Sequence, residues 1–224
     1  MRKLIIQTTA TFVIGSAALG ALLFLAAGTL DYWQAWVFII LLMALISEQG
    51  VYLALKDPEL LERRKKIAQE GESRAQRLFI IVGLLANLCL LVVSALDHRF
   101  GWSDVPPIVA LLGDGLIVLS FVTYHVVFSV NSYTASSIQT FEGQQVISTG
   151  PYAFVRHPKY VGDLFLVIGI PLALGSWWGL VFVIFTLLAL AWRILDEEKL
   201  LKNDLPGYVE YTQKVRYRLV PRLW

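Results

Sequence analysis

Residues 160–194 read YVGDLFLVIGIPLALGSWWGLVFVIFTLLALAWRI. Two apolar runs, near 160–175 and 177–194, are separated by Gly175-Ser176, and Pro171 lies inside the first. Both are shorter than the apolar runs upstream, and the Gly-Ser break between them predicts a helical hairpin that brings the chain back to the side it left. Working outward, runs near 4–29, 35–55, 78–96 and 106–130 are each long enough to cross a hydrocarbon core of about 30 Å at 1.5 Å per residue. The expected fold is therefore all-α: four transmembrane helices plus a C-terminal hairpin, about six hydrophobic segments in all.

Composition agrees. Hydrophobic residues make up 57% of the 224 and charged residues only 16%, where a soluble domain carries about a quarter charged. A net charge of +2 with no basic-aromatic pattern speaks against a nucleic-acid partner. The one cysteine, Cys89, lies in an apolar run, which leaves no disulfide framework and no cysteine-rich metal site. The run from Leu4 to Leu30 is too long for a signal-peptide core and reads as a retained first span.

The cations orient this layout. Of 19 Lys and Arg residues, all but Arg99 fall on the N-terminus, the 56–77 and 131–159 connections, or the part from Arg193 onward. Four spans plus a hairpin put those on one side, so both chain ends of a multi-pass membrane protein are expected in the cytoplasm. Residues 1–130 then form a transmembrane bundle, with an amphipathic connection at 56–77 opened by Asp57 as N-cap and Pro58 at the first helical position. Residues 131–224 form the hairpin and a cytoplasmic tail, integrated with the bundle into one domain. In the tail the last span should continue as a charged helix, break at Leu205-Pro206-Gly207, and resume from Tyr208 with Tyr208 and Tyr211 on one face.

Several chemistries are absent from the sequence. It has no phosphate-cradling loop, no G-x-S-x-G elbow and no H-E-x-x-H. Gly113-Asp114-Gly115 lies inside an apolar run and reads as close helix packing rather than a dinucleotide fingerprint. His98, His125 and His157 are far apart, so no metal site is expected. The polar residues that remain bracket the hairpin: GPYAFVRHPKYVG at 150–162 precedes it, and Glu197-Glu198 follows it. A hairpin brings Arg156, His157 and Tyr160 near Glu197, Glu198 and the Tyr208/Tyr211 face. Higher up, Glu48 and His125 should lie at a similar depth of roughly 8–10 Å, where ionisable groups face a cavity or each other; they are expected to line, or pair beside, a substrate pocket.

The stretches GPYAFVRHPKYVGD, EEKLL and PGYVEYTQKVRYRLVP together resemble the isoprenylcysteine carboxyl methyltransferase family, a broad membrane family that includes phospholipid N-methyltransferase relatives. NSYTAS from Asn131 and EGQQVISTG from Glu142 are similar to bacterial members, and the resemblance covers about residues 131–224. It implies an integral membrane methyltransferase that uses S-adenosylmethionine without a Rossmann fold. Its lipophilic substrate would enter from the bilayer, among membrane lipids and with no obligatory protein partner. The implied cofactor-binding residues are Tyr152, Arg156, His157, Pro158, Tyr160, Gly162, Glu197, Glu198, Tyr208 and Tyr211. Arg156, Arg193 and Glu197 are the implied catalytic residues: Arg193 would orient a substrate carboxylate, and Glu197 or His157 would accept a proton from an amine. HPKYVGD and the tail VRYRLVPRLW also resemble NADPH-dependent membrane sterol reductases, although the acidic Glu197-Glu198 pair fits the methyltransferase pattern better. A small transporter or scaffold is a third reading; it is disfavoured because no repeat is visible and the polar residues collect at one face.

Overall fold

The computed structural model describes residues 2–65, 74–134 and 144–224, and among these all regular structure is helical. Eight α-helices follow in order: α1 (Arg2–Ala27), α2 (Trp33–Lys56), α3 (Pro58–Lys65), α4 (Arg74–Phe100), α5 (Pro107–Val130), α6 (Pro158–Ala173), α7 (Gly179–Asp204) and α8 (Tyr208–Lys214). A single 3-10 turn, Gly150–Ala153, precedes α6. Helices α1, α2, α4, α5 and α7 are long and apolar enough to cross a membrane. Helix α6, at 16 residues, is the short arm of the hairpin. Residues 66–73 of the amphipathic connection, and 135–143 with parts of NSYTAS and EGQQ, lie outside the described residues. The described start of that connection is capped as expected: the Leu60 backbone N–H donates to Asp57 Oδ1 at 2.9 Å, with Pro58 next to the cap.

Small residues set the packing. Helix α6 lies against α5 along Gly113, Gly169 and Gly162. A Cβ on Gly113 would come within 2.3 Å of the Ala173 backbone nitrogen, and one on Gly162 within 2.6 Å of the Tyr124 ring. Between membrane helices such approaches substitute for the hydrophobic drive that lipid does not supply. Gly115 faces open space, so the close contact rests on Gly113. Large apolar side chains such as Leu25, Ile40, Leu84, Leu112 and Leu188 point outward, as in a bundle solvated by lipid.

The short connections gather with the hairpin turn at one end. The Tyr32 hydroxyl donates to the Leu174 carbonyl at 2.6 Å. The buried Asp97 carboxylate accepts from the Ser103 backbone N–H and hydroxyl, both at 2.7 Å, and from the Ser176 hydroxyl. The Tyr32 ring stacks on His98 at 3.8 Å. At the opposite end α7 runs on past the bundle. Its last turn yields to Leu205-Pro206-Gly207, and Gly207, left-handed at φ +82°, turns the chain into α8.

Candidate active site

A cleft of about 820 Å³, its open mouth included, lies at the end of the bundle opposite the Asp97 cluster. One wall is the segment before α6. Pro158 fixes the first helical position and keeps the preceding residue out of the helical region, so His157 sits at φ −124°, ψ 62°. This leaves the 156–157 backbone free to pair with the tail: Arg156 N donates to the Tyr217 carbonyl and His157 N to the Arg218 carbonyl, each at 2.9 Å.

Helix α7 supplies a second wall. Arg193, Glu197 and Leu201, spaced by one turn, all face the cleft. Tyr160 joins this wall to α6: its hydroxyl donates to Glu197 Oε2 at 2.5 Å and accepts from Arg193 Nε at 2.9 Å. Below them, Lys159 Nζ donates to Asp163 Oδ2 at 2.7 Å and stands 4.9 Å from the Tyr160 ring. The other Asp163 oxygen accepts from the Tyr124 hydroxyl of α5.

Helix α8 forms the third side. The Tyr208 and Tyr211 rings lie 5.7 Å apart, and both are buried. The Tyr211 hydroxyl donates to the Tyr152 carbonyl at 2.7 Å, and the Tyr152 hydroxyl accepts from Asn131 Nδ2 at 2.7 Å. Burial raises the pKa of both α8 phenols well above the ordinary tyrosine value; the Glu198 carboxylate adds to the shift at Tyr208, and the Tyr152 phenol adds to it at Tyr211. They stay neutral hydrogen-bond donors at any physiological pH.

Most residues expected from sequence meet here: Tyr152, Arg156, His157, Pro158, Tyr160, Arg193, Glu197, Tyr208 and Tyr211 all line the cleft. Two single residues and one pair sort differently. Glu198 turns away from the cleft. It is buried in a cage of cations, with Arg156 Nη1 at 2.9 Å, His157 Nε2 at 3.4 Å, Arg218 Nε at 3.1 Å and Lys202 Nζ at 3.8 Å. The reason is helical phase: one residue on a helix is a turn of about 100°, so neighbours Glu197 and Glu198 point to different surroundings. Gly162 is the contact surface for Tyr124 and does not line the cleft. Glu48 and His125 do meet, Oε1 to Nδ1 at 3.7 Å, with Tyr52 packed on the imidazole at 4.0 Å. They are partly exposed on the α2–α5 flank and lie outside the cleft.

Sequence reasoning missed Asn131, Lys159 and Asp163. Lys159 and Asp163 carried a readable signal, opposite charges one helical turn apart. The opposite wall, Gln144 to Ile147, comes from a connection without regular structure, where no periodicity exists to read.

The cleft residues suit a zwitterionic, aromatic ligand. They offer cations, a carboxylate and tyrosine rings. Among the described residues, Arg156 Nε and Tyr208 Oη are buried without a hydrogen-bond partner, although both side chains line the cleft. Buried donors are normally satisfied, and a polar ligand in the cleft is the kind of partner these two lack.

Comparisons with known proteins bear on the fold and on the family resemblance. Residues 108–205 match the family model of the phospholipid methyltransferases, a span that takes in α5, the hairpin and the approach to α8. The fold is similar to that of a eukaryotic intramembrane Ras methyltransferase, isoprenylcysteine carboxyl methyltransferase, with a TM-score of 0.57 at 18% identity, covering 92% of this chain and 75% of that one. The resemblance read from residues 131–224 is thus met by a family match and by a shared fold. Sequence relatives also include the Delta(14)-sterol reductase TM7SF2 of Mus musculus, 31% identical over 39% of this chain, and the Delta(14)-sterol reductase of Methylotuvimicrobium alcaliphilum, 30% identical over 40%. The Lamin-B receptor of Drosophila melanogaster is 28% identical over 55%. The chain spans about a fifth of the length of these curated relatives.

Proposed function

We propose that this polytopic membrane protein, which carries the phospholipid methyltransferase pattern across α5 and the hairpin, transfers a methyl group from S-adenosylmethionine to a lipophilic acceptor held in the bilayer. The observation that carries the reading is the cleft, with its two unpartnered buried donors and the Tyr160–Glu197–Arg193 triad on one wall. It would open to the cytoplasm, on the side where the sequence concentrates its cations.

When bound, S-adenosylmethionine supplies an electrophilic methyl group on a sulfonium. The rest is the work of the chain. Arg156 and Tyr208 are the groups to hold a carboxylate or ribose hydroxyl, because each has a buried donor to spare. Tyr211, Tyr152 and Tyr208 offer ring faces and edges to the adenine. Glu197, on the cleft wall, would offer a carboxylate to the cofactor's cationic groups. Its orientation is fixed by the Tyr160 hydroxyl, which Arg193 holds in turn. An ionised acceptor such as a carboxylate needs alignment and exclusion of water, which the hairpin wall and the Arg193 guanidinium supply. An amine acceptor must shed a proton, and Glu197 is the carboxylate placed to take it. The Glu48–His125 pair, partly exposed on the α2–α5 flank, belongs in this reading to the acceptor's approach.

A second reading keeps the cleft and changes the cofactor. The Delta(14)-sterol reductase relatives favour a nicotinamide nucleotide. Against this stands the family match over residues 108–205; the charge of the cleft, with Arg156, Lys159 and Arg193 beside Glu197, suits either ligand. The deciding experiment incubates the purified protein with methyl-labelled S-adenosylmethionine and a total lipid extract, and identifies the labelled lipid. Calorimetric binding of S-adenosylhomocysteine and NADPH runs alongside. Labelled lipid with S-adenosylhomocysteine binding is the expected result; NADPH binding alone overturns it.

A further inference from the structure

The residues that line the cleft at 156 and 157 are not held by a helix of their own. They are held by the tail, and the tail is held by its last aromatic ring. Beyond the backbone pairs to Tyr217 and Arg218, Arg156 Nη2 donates to the Arg216 carbonyl at 3.1 Å. The chain then reverses at Arg222, whose φ of 69° is left-handed. The Trp224 carbonyl accepts from the backbone N–H of Arg218 at 3.0 Å and of Leu219 at 3.1 Å. The Trp224 ring stands 5.4 Å from the Arg218 guanidinium and packs on the cluster of Tyr160, Leu190, Ile194 and Leu219. Arg218 Nε reaches Glu198 Oε2 at 3.1 Å, and Glu198 Oε1 holds Arg156 and His157.

We infer that Trp224, Arg218 and Glu198 form a positioning chain that presets Arg156 and His157, and through the shared cluster Tyr160, for the cofactor. The inference rests on the proposed function for the identity of that cofactor. None of the three lines the cleft, so none is a catalytic residue. Their work is done through others. A carboxylate shared among several cations distributes its hydrogen bonds by geometry. Withdraw Arg218, and Glu198 Oε2 keeps only the distant Lys202 among the ion pairs described for it; the carboxylate then swings toward Arg156 and His157 and moves both. The indole fixes the guanidinium from the other side by cation–π contact and packing. Preorganisation of this kind acts on ligand affinity, because the unliganded protein no longer waits in the bound geometry.

The test is a double-mutant cycle on the full-length protein in nanodiscs, read by S-adenosylhomocysteine calorimetry and by methyl transfer to the lipid extract. Trp224→Ala is expected to weaken S-adenosylhomocysteine binding about tenfold and to raise the cofactor KM by the same factor, while kcat at saturating cofactor stays within about twofold. Trp224→Phe, which keeps a ring under the guanidinium, restores most of the affinity. Arg218→Met loses as much as Trp224→Ala, and the double variant loses little more than either, the mark of groups acting in series. Wild-type affinity in Trp224→Ala and Arg218→Met overturns the inference. So does a melting-temperature loss with no change in affinity, or fully additive effects. If the wild type binds NADPH and not S-adenosylhomocysteine, the proposed function fails, and the same cycle read with NADPH still decides the positioning chain.

Discussion

Two knots of buried polar groups sit at opposite ends of the bundle, one built round a fully engaged carboxylate and the other with unpartnered groups on the wall of a cleft. Around Asp97 both carboxylate oxygens are engaged, one by the Ser103 backbone and the other by two serine hydroxyls, and Ser176 also accepts from the Gly179 backbone. Around the cleft the hydrogen bonds are as dense, yet Arg156 Nε and Tyr208 Oη have no partner among the described residues. A carboxylate fully engaged by its neighbours stabilises a fold, and donors left open on a cleft wall are prepared for a ligand that arrives later. The Asp97 knot pins the hairpin turn; the cleft uses the hairpin's other end.

This contrast can be broken most easily at Asp97. Asp97→Ala strands two serine hydroxyls and a backbone N–H in a buried site. That should cost about 3–5 kcal/mol and lower the melting temperature by roughly 10 °C. Molecules that remain folded should bind S-adenosylhomocysteine with wild-type affinity. An affinity loss in the folded fraction would mean that the two ends are coupled. Tyr208→Phe is the opposite experiment. It removes an unpartnered buried hydroxyl, so the melting temperature of the unliganded protein should hold or rise slightly, while cofactor affinity falls about three- to tenfold, one hydrogen bond's worth. A drop in stability without loss of affinity would place Tyr208 in the structural class with Asp97. The smallest effect belongs to Glu48→Gln on the α2–α5 flank. The acceptor KM should rise about threefold with cofactor affinity unchanged, as for a group met on the way in. No change in turnover or KM would make the Glu48–His125 pair a packing contact.

The sequence announced the architecture because the membrane simplifies the problem. Apolar run length, the Gly175-Ser176 break and the cation count have few competing readings in a bilayer. Tyr208 and Tyr211 emerge on one buried face for the same reason, helical phase. The site was legible as a set of residues but not as a division of labour. Glu197 and Glu198 are neighbours of equal chemistry, and only the third dimension shows that one faces the cleft while the other binds the tail. Trp224 lies in the quoted tail VRYRLVPRLW, but nothing there showed its place against Arg218, which depends on a chain reversal at Arg222 that no local pattern encodes. The Tyr124–Asp163 bond crosses between helices 39 positions apart, and Gly162, read as part of the cofactor wall, is instead the gap that lets Tyr124 approach.

The adjacency of Glu197 and Glu198 has a consequence for how this chain can vary. Helix α7 is a shaft whose angular setting matters as much as its reach. Inserting one residue between Gly179 and Arg193 would turn everything beyond it by about 100°, carrying Glu197 off the cleft and pulling Glu198 out of its cage together. Seven inserted residues would leave the setting within about 20°, at the expense of about 10 Å of height. Lengths among functional variants of α7 should therefore come in whole pairs of turns, and a helix lengthened by one residue should be found only where a compensating deletion resets the angle before Arg193.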